Sequence, residues 1–254
     1  MQAIVLAGGG LPVDFAGIAP VESKAFLPIL EKPMVEYVTQ TLYHGPFSQI
    51  VLVGDERAVT PSIRSQVDKI VPPGKNIVGS LSNGLAGMQD EKQVFVCAGD
   101  LPLLSVAVVE QFLRQSRESA GELTYSIVRR EDSEKAFPGF PHTYVKLKEG
   151  SFCGGGLFLL PPVVLDNFRH LMTQMTEMRK APWKMAGLLG VDIILKLIFK
   201  SLSIADLEKK AGSLLGVTAS AVVSPPEAAF NVDHLSQYKS AVKILQEKQN
   251  LART

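Results

Sequence analysis

The sequence opens with a strand-like apolar run, Leu6 and Ala7 at its end, that breaks into Gly8, Gly9 and Gly10. Bare amides at a strand end can approach a phosphate with no Cβ in the way, so the stretch reads as a phosphate loop or as a plain strand-to-loop turn. Lys24 is the next cation, since residues 11–23 contain neither Lys nor Arg. It offers a point charge to a phosphate oxygen, or is a solvated loop residue. Asp100 closes the run "QVFVCAG". A carboxylate at the carboxyl end of a buried strand stands where open α/β sheets bind ligands, and it is a hard ligand suited to Mg²⁺. Ser80 and Asn83, in "GSLSNGL", are hydrogen-bonding candidates for a base and ribose, with Ser80 also a candidate cap for its own helix. Gly154 and Gly155, in "CGGG", leave backbone bare for a second substrate or mark a β-bulge.

Such residues need elements to hold them. The first 130 residues alternate buried strand-like runs ("QAIVLA", "QIVLVG", "KIVPP", "QVFVCAG") with helical stretches ("PMVEYVTQTLYH", "VGSLSNGLAGM", "SVAVVEQFLRQSRES"). That alternation predicts a parallel sheet covered on both faces. Pro33 suits a first helical turn, Ser105 an N-cap, and Ser80 stands near the start of its helix. Further on, "LTYSIVRR", "HTYVKLKEG", "FCGGGLFLL" and "ASAVVS" read as strands. Residues 161–215 read as mostly helical with breaks at Pro182, Gly187, Gly190 and Gly212, and "HLSQYKSAVKILQEKQ" as a solvent-facing terminal helix. The expectation is one α/β domain over 1–254 with a helical insertion at about 161–215.

Composition narrows the function classes. Lys+Arg 26 against Asp+Glu 25 gives a net charge of +1, without the basic excess of a nucleic-acid binder. Cys97 and Cys153 sit in apolar surroundings and read as buried free thiols of a reducing compartment, so the expected location is cytoplasmic. The apolar window "MAGLLGVDIILKLIF", Met185 to Phe199, contains Asp192 and Lys196 and is shorter than the roughly 20 residues of a membrane span. It predicts a buried helix or a partner-facing one, and with it a homodimer.

The familiar phosphate loops fail on spacing. A Walker A loop needs a later Gly followed by Lys and Ser or Thr, and none follows Gly10 in position. The dinucleotide fingerprint needs a third Gly where this chain has Val13. What stands is a glycine turn, a loop, and Lys24 just before "AFLPILEKPMVEYV". This arrangement resembles the nucleotidyltransferases that include the molybdenum-cofactor guanylyl- and cytidylyltransferases and, more distantly, the methylerythritol-phosphate cytidylyltransferases. The resemblance rests on Leu6 to Gly9, Lys24 and "LPILEKP", then "GSLSNGL", "CAGDLPLLS" and "FNVDHLSQY", in that order.

The resemblance implies a three-layer α/β/α Rossmann-like, GT-A-like fold with a mainly parallel sheet. It implies transfer of a nucleoside monophosphate from GTP or CTP to a phosphorylated small-molecule acceptor, with Mg²⁺ and release of pyrophosphate. By the same resemblance Leu6, Ala7, Gly8, Gly9, Gly10, Lys24, Ser80 and Asn83 bind nucleotide, Lys24 and Asp100 are catalytic, and Asp100 and Asp233 hold the metal. Asn231, Gly154 and Gly155 fall on the acceptor side. The family's usual loop Arg between the glycines and the Lys is missing. That departure implies slow turnover, or alternatively a nucleotide-binding regulatory protein of the same fold.

Overall fold

β1 (Gln2–Leu6) is the middle of the molecule because both of its faces are apolar. Ala3 and Val5 point into one hydrophobic layer and Ile4 into the other, and all three are fully buried. The structure, a computed structural model, describes residues 1–86, 88, 92–178 and 190–252. After β1 come a hairpin of β2 (Pro28–Ile29) and β3 (Lys32–Pro33), then α1 (Met34–Tyr43), β4 (Gln49–Val53), α2 (Pro61–Gln66), β5 (Lys69–Val71) and α3 (Ile77–Leu85). The chain continues with β6 (Val94–Ala98), α4 (Val106–Glu118), β7 (Leu123–Arg129), α5 (Arg130–Ala136), β8 (Val145–Leu147) and β9 (Gly150–Leu160). The described elements end with α6 (Val164–Met178), α7 (Val191–Ile198), α8 (Ile204–Leu215), β10 (Ala219–Val223) and α9 (Leu235–Ala252).

The large sheet runs β10-β7-β9-β6-β1-β4-β5, with β8 added on β9. Its pairings are parallel except those of β9, which runs antiparallel to β6, β7 and β8. One face is covered by α1 and α4, whose Val35, Val38, Leu42, Val109 and Phe112 pack with Ala3, Val5 and Phe95. The other is covered by α3 and α6, whose Leu81 and Val164 pack with Ile4, Val53, Val96 and Leu160. This is the three-layer α/β/α Rossmann-like nucleotidyltransferase architecture, with a largely parallel sheet and additional helices.

A third apolar cluster fixes the segments that carry polar residues. Phe15, Leu27, Ile29 and Met34 from the first loop meet Phe230, Val232 and Ala241 from the last segment and α9. The Phe140 and Phe230 rings lie 3.9 Å apart, centroid to centroid. Two stretches at opposite ends of the sequence are thereby locked side by side.

Local expectations hold in some places and fail in others for definable reasons. Ser105 caps α4, accepting from the Val108 amide. Ser80 is not a cap: Asn76 takes that position and accepts from the Gly79 amide at 2.9 Å, leaving Ser80 one turn inside α3. Gly212 does not break the helix, since α8 runs through it and stops at Gly216, whose φ of 71° is the left-handed C-cap. A helical glycine costs only about 1 kcal/mol relative to alanine, and a Cβ on Gly212 would lie 2.6 Å from the Val217 carbonyl oxygen. Gly190 does mark a boundary, with φ 91° just before α7. The expected breaks at Pro182 and Gly187 lie outside the described residues.

Within the helical stretch, Val164 joins the sheet core and Ile193 packs with Leu147, Phe152 and Leu202. α7 and its C-cap leave Leu195, Leu197, Ile198 and Phe199 exposed. Among the described residues no helix is long and apolar enough to cross a membrane.

Candidate active site

At the carboxyl end of β1 the chain turns away under firm restraint. The Ala7 amide donates to the Val53 carbonyl at 2.8 Å, the Ser23 hydroxyl donates to the Ala7 carbonyl at 2.7 Å, and a β-bridge joins Gly10 to Ser23. Gly8 is required by packing, because a Cβ there would lie 2.3 Å from Cβ of Pro73. Gly9 and Gly10 are different. Neither has a positive φ, and a Cβ on either would meet nothing within 4 Å. The protein's own packing does not demand glycine at either position. Both face a cavity of about 420 Å³ that Leu6, Ala7, Lys24, Ser80 and Asp100 also line. Glycine at these two positions leaves the backbone without a side chain along the cavity.

This gives a clean test. Gly9→Val is expected to fold with a near-unchanged melting temperature, because its side chain enters open space, yet to weaken nucleoside triphosphate binding by roughly tenfold through filling the cavity. Thermal melts and calorimetric titration with and without nucleotide read the two effects separately. Unaltered affinity in the folded variant would remove the phosphate-loop reading.

The facing wall comes from the β5–α3 connection. Gly74 lies so close to α3 that a Cβ would be 2.3 Å from the Gly79 carbonyl carbon. Ser80 Oγ accepts from the Gly74 amide at 3.0 Å, so this hydroxyl both pins the wall and lines the cavity. Asn83 stands apart: its Nδ2 donates to the Pro72 carbonyl at 3.0 Å, and it is not among the cavity-lining residues. The wall also presents Lys75, which the sequence reading passed over. Its available signal was a cation between a parallel strand and the N-terminus of the following helix.

Lys24 sits where the first loop meets the end of β6. Ser23 caps the short turn Lys24–Phe26, and buried Ala25 and Phe26 anchor it in the core. The Lys24 ammonium lies 2.5 Å from Asp100 Oδ2 and also contacts Asp233 Oδ1. Asp100 is the more enclosed partner, with 8% of its side chain exposed against 55% for Asp233. Asn231 Nδ2 donates to the other Asp100 oxygen at 3.0 Å, and the Val232 amide donates to the Asp100 carbonyl. Gln237 Oε1 accepts from the amides of Asp233 and His234, holding the start of α9. Burial pulls the Lys24 pKa down, but Asp100 first and Asp233 after it outweigh that, so the ammonium is held above the ordinary lysine value. Residues 209 positions apart thus share one charge cluster.

Among the described residues no group of three or more His, Cys, Asp or Glu side chains could hold a metal. Asp100 and Asp233 nevertheless converge on one cation, the Lys24 ammonium. Two carboxylates suit Mg²⁺, which fills its remaining positions with phosphate oxygens and water.

A second cavity of about 380 Å³ opens on the far side of Asp233, lined also by His142, Thr143, Cys153, Gly154 and Asn231. Burial lowers the His142 pKa and raises that of Cys153 to about 11, so both are uncharged at neutral pH. The glycine run of β9 is a bulge, with the register against β7 shifting between Tyr125 and Ile127. A Cβ on Gly154 would strike the Tyr125 hydroxyl and one on Gly155 the Ser126 hydroxyl, at 1.9 and 2.2 Å. Gly154 also lines the second cavity, whereas Gly155 does not. Both cysteines are buried free thiols.

The fold is one shared with known proteins. A family model described as the MobA-like NTP transferase domain matches residues 3–182. A hypothetical transferase from Thermus thermophilus is similar in structure, with a TM-score of 0.80 and 34% identity, over 93% of this chain and 98% of that one. At fold level only, 4-diphosphocytidyl-2C-methyl-D-erythritol synthase from Anaerococcus prevotii aligns with a TM-score of 0.60 and 10% identity, covering 96% and 97% of the two chains. CMP:2-keto-3-deoxy-manno-octonic acid synthetase, solved with CTP, aligns with a TM-score of 0.60 and 15% identity, covering 97% and 99%. No curated protein matches the chain significantly.

Proposed function

Because this chain belongs to the MobA-like NTP transferase family, we propose that it moves a nucleoside monophosphate from GTP or CTP to a phosphorylated small-molecule acceptor, as in molybdenum-cofactor nucleotide transfer. The observation that carries the reading is the convergence of Lys24, Asp100 and Asp233 between two cavities. In this reading the glycine-walled cavity takes the triphosphate and the cavity beyond Asp233 takes the acceptor. An acceptor phosphate oxygen attacks the α-phosphorus, the bond from that phosphorus to the bridging α,β oxygen breaks, and pyrophosphate leaves with the electron pair.

Two anions must meet, so the chain's work is alignment and charge neutralisation. Asp100 and Asp233 would hold Mg²⁺, which when bound supplies Lewis-acid neutralisation of phosphate charge. Gly9 and Gly10, which line the cavity with no side chain, offer backbone amides to the phosphate oxygens. Lys24 places its charge against the α-phosphate. At about 4 Å and an effective dielectric of about 20, a unit pair is worth about 4 kcal/mol, and half of that surviving in the transition state exceeds tenfold in rate. Lys75, on the opposite wall, adds positive charge to the same cavity.

The test is pyrophosphate release by the wild-type protein, with each nucleoside triphosphate, Mg²⁺ and a panel of phosphate monoesters. Release with one nucleotide and one acceptor class is expected. A second reading, a regulatory nucleotide-binding protein, draws on the absent loop Arg. Tight nucleotide binding with no pyrophosphate from any acceptor would establish it instead.

A further inference from the structure

Lys24 stands in two places that a working site cannot fill at once. Its ammonium lies 2.5 Å from Asp100 Oδ2 and contacts Asp233 Oδ1, while the same side chain lines the glycine-walled cavity. A divalent ion at 2.0–2.1 Å from those two carboxylate oxygens leaves no room for the ammonium and repels it. Nor can the carboxylates easily stay bare. Asp100 is almost enclosed and fixed by Asn231, and an uncompensated buried carboxylate is strongly unfavourable. The Lys24 carbonyl accepts from the Leu27 amide and Ser23 caps the turn, so the ammonium changes partner by rotating its own four-carbon stem.

We propose that Lys24 is the resident counter-cation of this carboxylate pair, and that a divalent metal enters only together with a nucleoside triphosphate. The phosphates attract the ammonium off Asp100 and Asp233, and the metal takes the oxygens it leaves. Nucleotide-free protein therefore has low affinity for the metal, and metal and nucleotide bind with positive coupling. The proposal rests on the triphosphate reading of the glycine-walled cavity for its second half, and on the ion pair alone for its first.

Binding of Mn²⁺ followed by electron paramagnetic resonance tests both halves on the full chain. Wild-type protein alone is expected to bind Mn²⁺ weakly. Lys24→Met and Lys24→Gln, without nucleotide, are expected to bind it at least about tenfold more tightly, and Mn²⁺ should raise their melting temperatures more than that of wild type. The α,β-methylene analogues of GTP and CTP should tighten Mn²⁺ binding to wild type by about tenfold beyond the affinity of the free metal–nucleotide complex. Tight Mn²⁺ binding to nucleotide-free wild type overturns the proposal even where a variant fails to fold. So does equal Mn²⁺ affinity in wild type and a folded Lys24 variant. Failure of the analogues to bind at all, seen by calorimetry without metal, would instead reject the triphosphate reading, and the nucleotide-free comparison would still decide the role of Lys24.

Discussion

Asp100→Asn is expected to lower turnover by on the order of a hundredfold, the scale seen when one preorganised charge-stabilising group is removed from an active site. The substitution keeps shape and deletes charge. It takes one of its two carboxylate partners from Lys24 and leaves Asn231 facing an amide in place of a carboxylate. It also removes the better-enclosed of the two carboxylates that face one cation. Nucleotide binding in the presence of Mg²⁺ should fall far more than binding without metal, and calorimetry in the two conditions separates them. Equal losses would mean that Asp100 only supports the structure.

Lys24→Ala should also reduce turnover at saturating nucleotide by about a hundredfold, with a smaller loss of affinity, because its charge matters most as the α-phosphate is attacked. Pyrophosphate release against nucleotide concentration reads both parameters. Loss of affinity alone would point to binding without catalysis. The pH dependence has a definite sign. With the pKa held above the ordinary 10.5, the lysine keeps its charge throughout the neutral and mildly alkaline range. Its contribution to folding stability is complete below 10.5 and disappears only as pH rises through the folded value.

The strands were readable in the sequence because β1, β4 and β6 are buried on both faces and leave unbroken apolar runs. Lys24 and Asp100 were readable from their local patterns and Asp233 only through the resemblance carried by "FNVDHLSQY"; the fold brings all three together. Lys75 went unread although it stands between a parallel strand and the N-terminus of the next helix, where it lines the cavity. Leu30 and Glu31 carry no sign of the positive φ angles, 47° and 71°, that turn the β2–β3 hairpin. That turn is supported from outside, by Tyr37 donating to the Ile29 carbonyl and Tyr238 to that of Pro28. The glycines of β9 pointed equally to a bulge and to substrate approach; the register against β7 shows an irregularity there, and Gly154 also borders the second cavity.

The bulge in β9 has a consequence for how two substrates would meet. On one side of it Gly154 borders the second cavity, and on the other Phe158 borders the first. Between them the strand is clamped, with the Leu157 amide donating to Ser126 Oγ at 3.1 Å and ladders to β6 and β7 on either side. One clamped strand of the sheet therefore borders both cavities. In the proposed reaction, a strand shared by the two cavities would limit the orientational freedom of two substrates before either binds. In the same proposal, acceptor preference falls to the residues at 141–143 and 234, which line the second cavity and not the first.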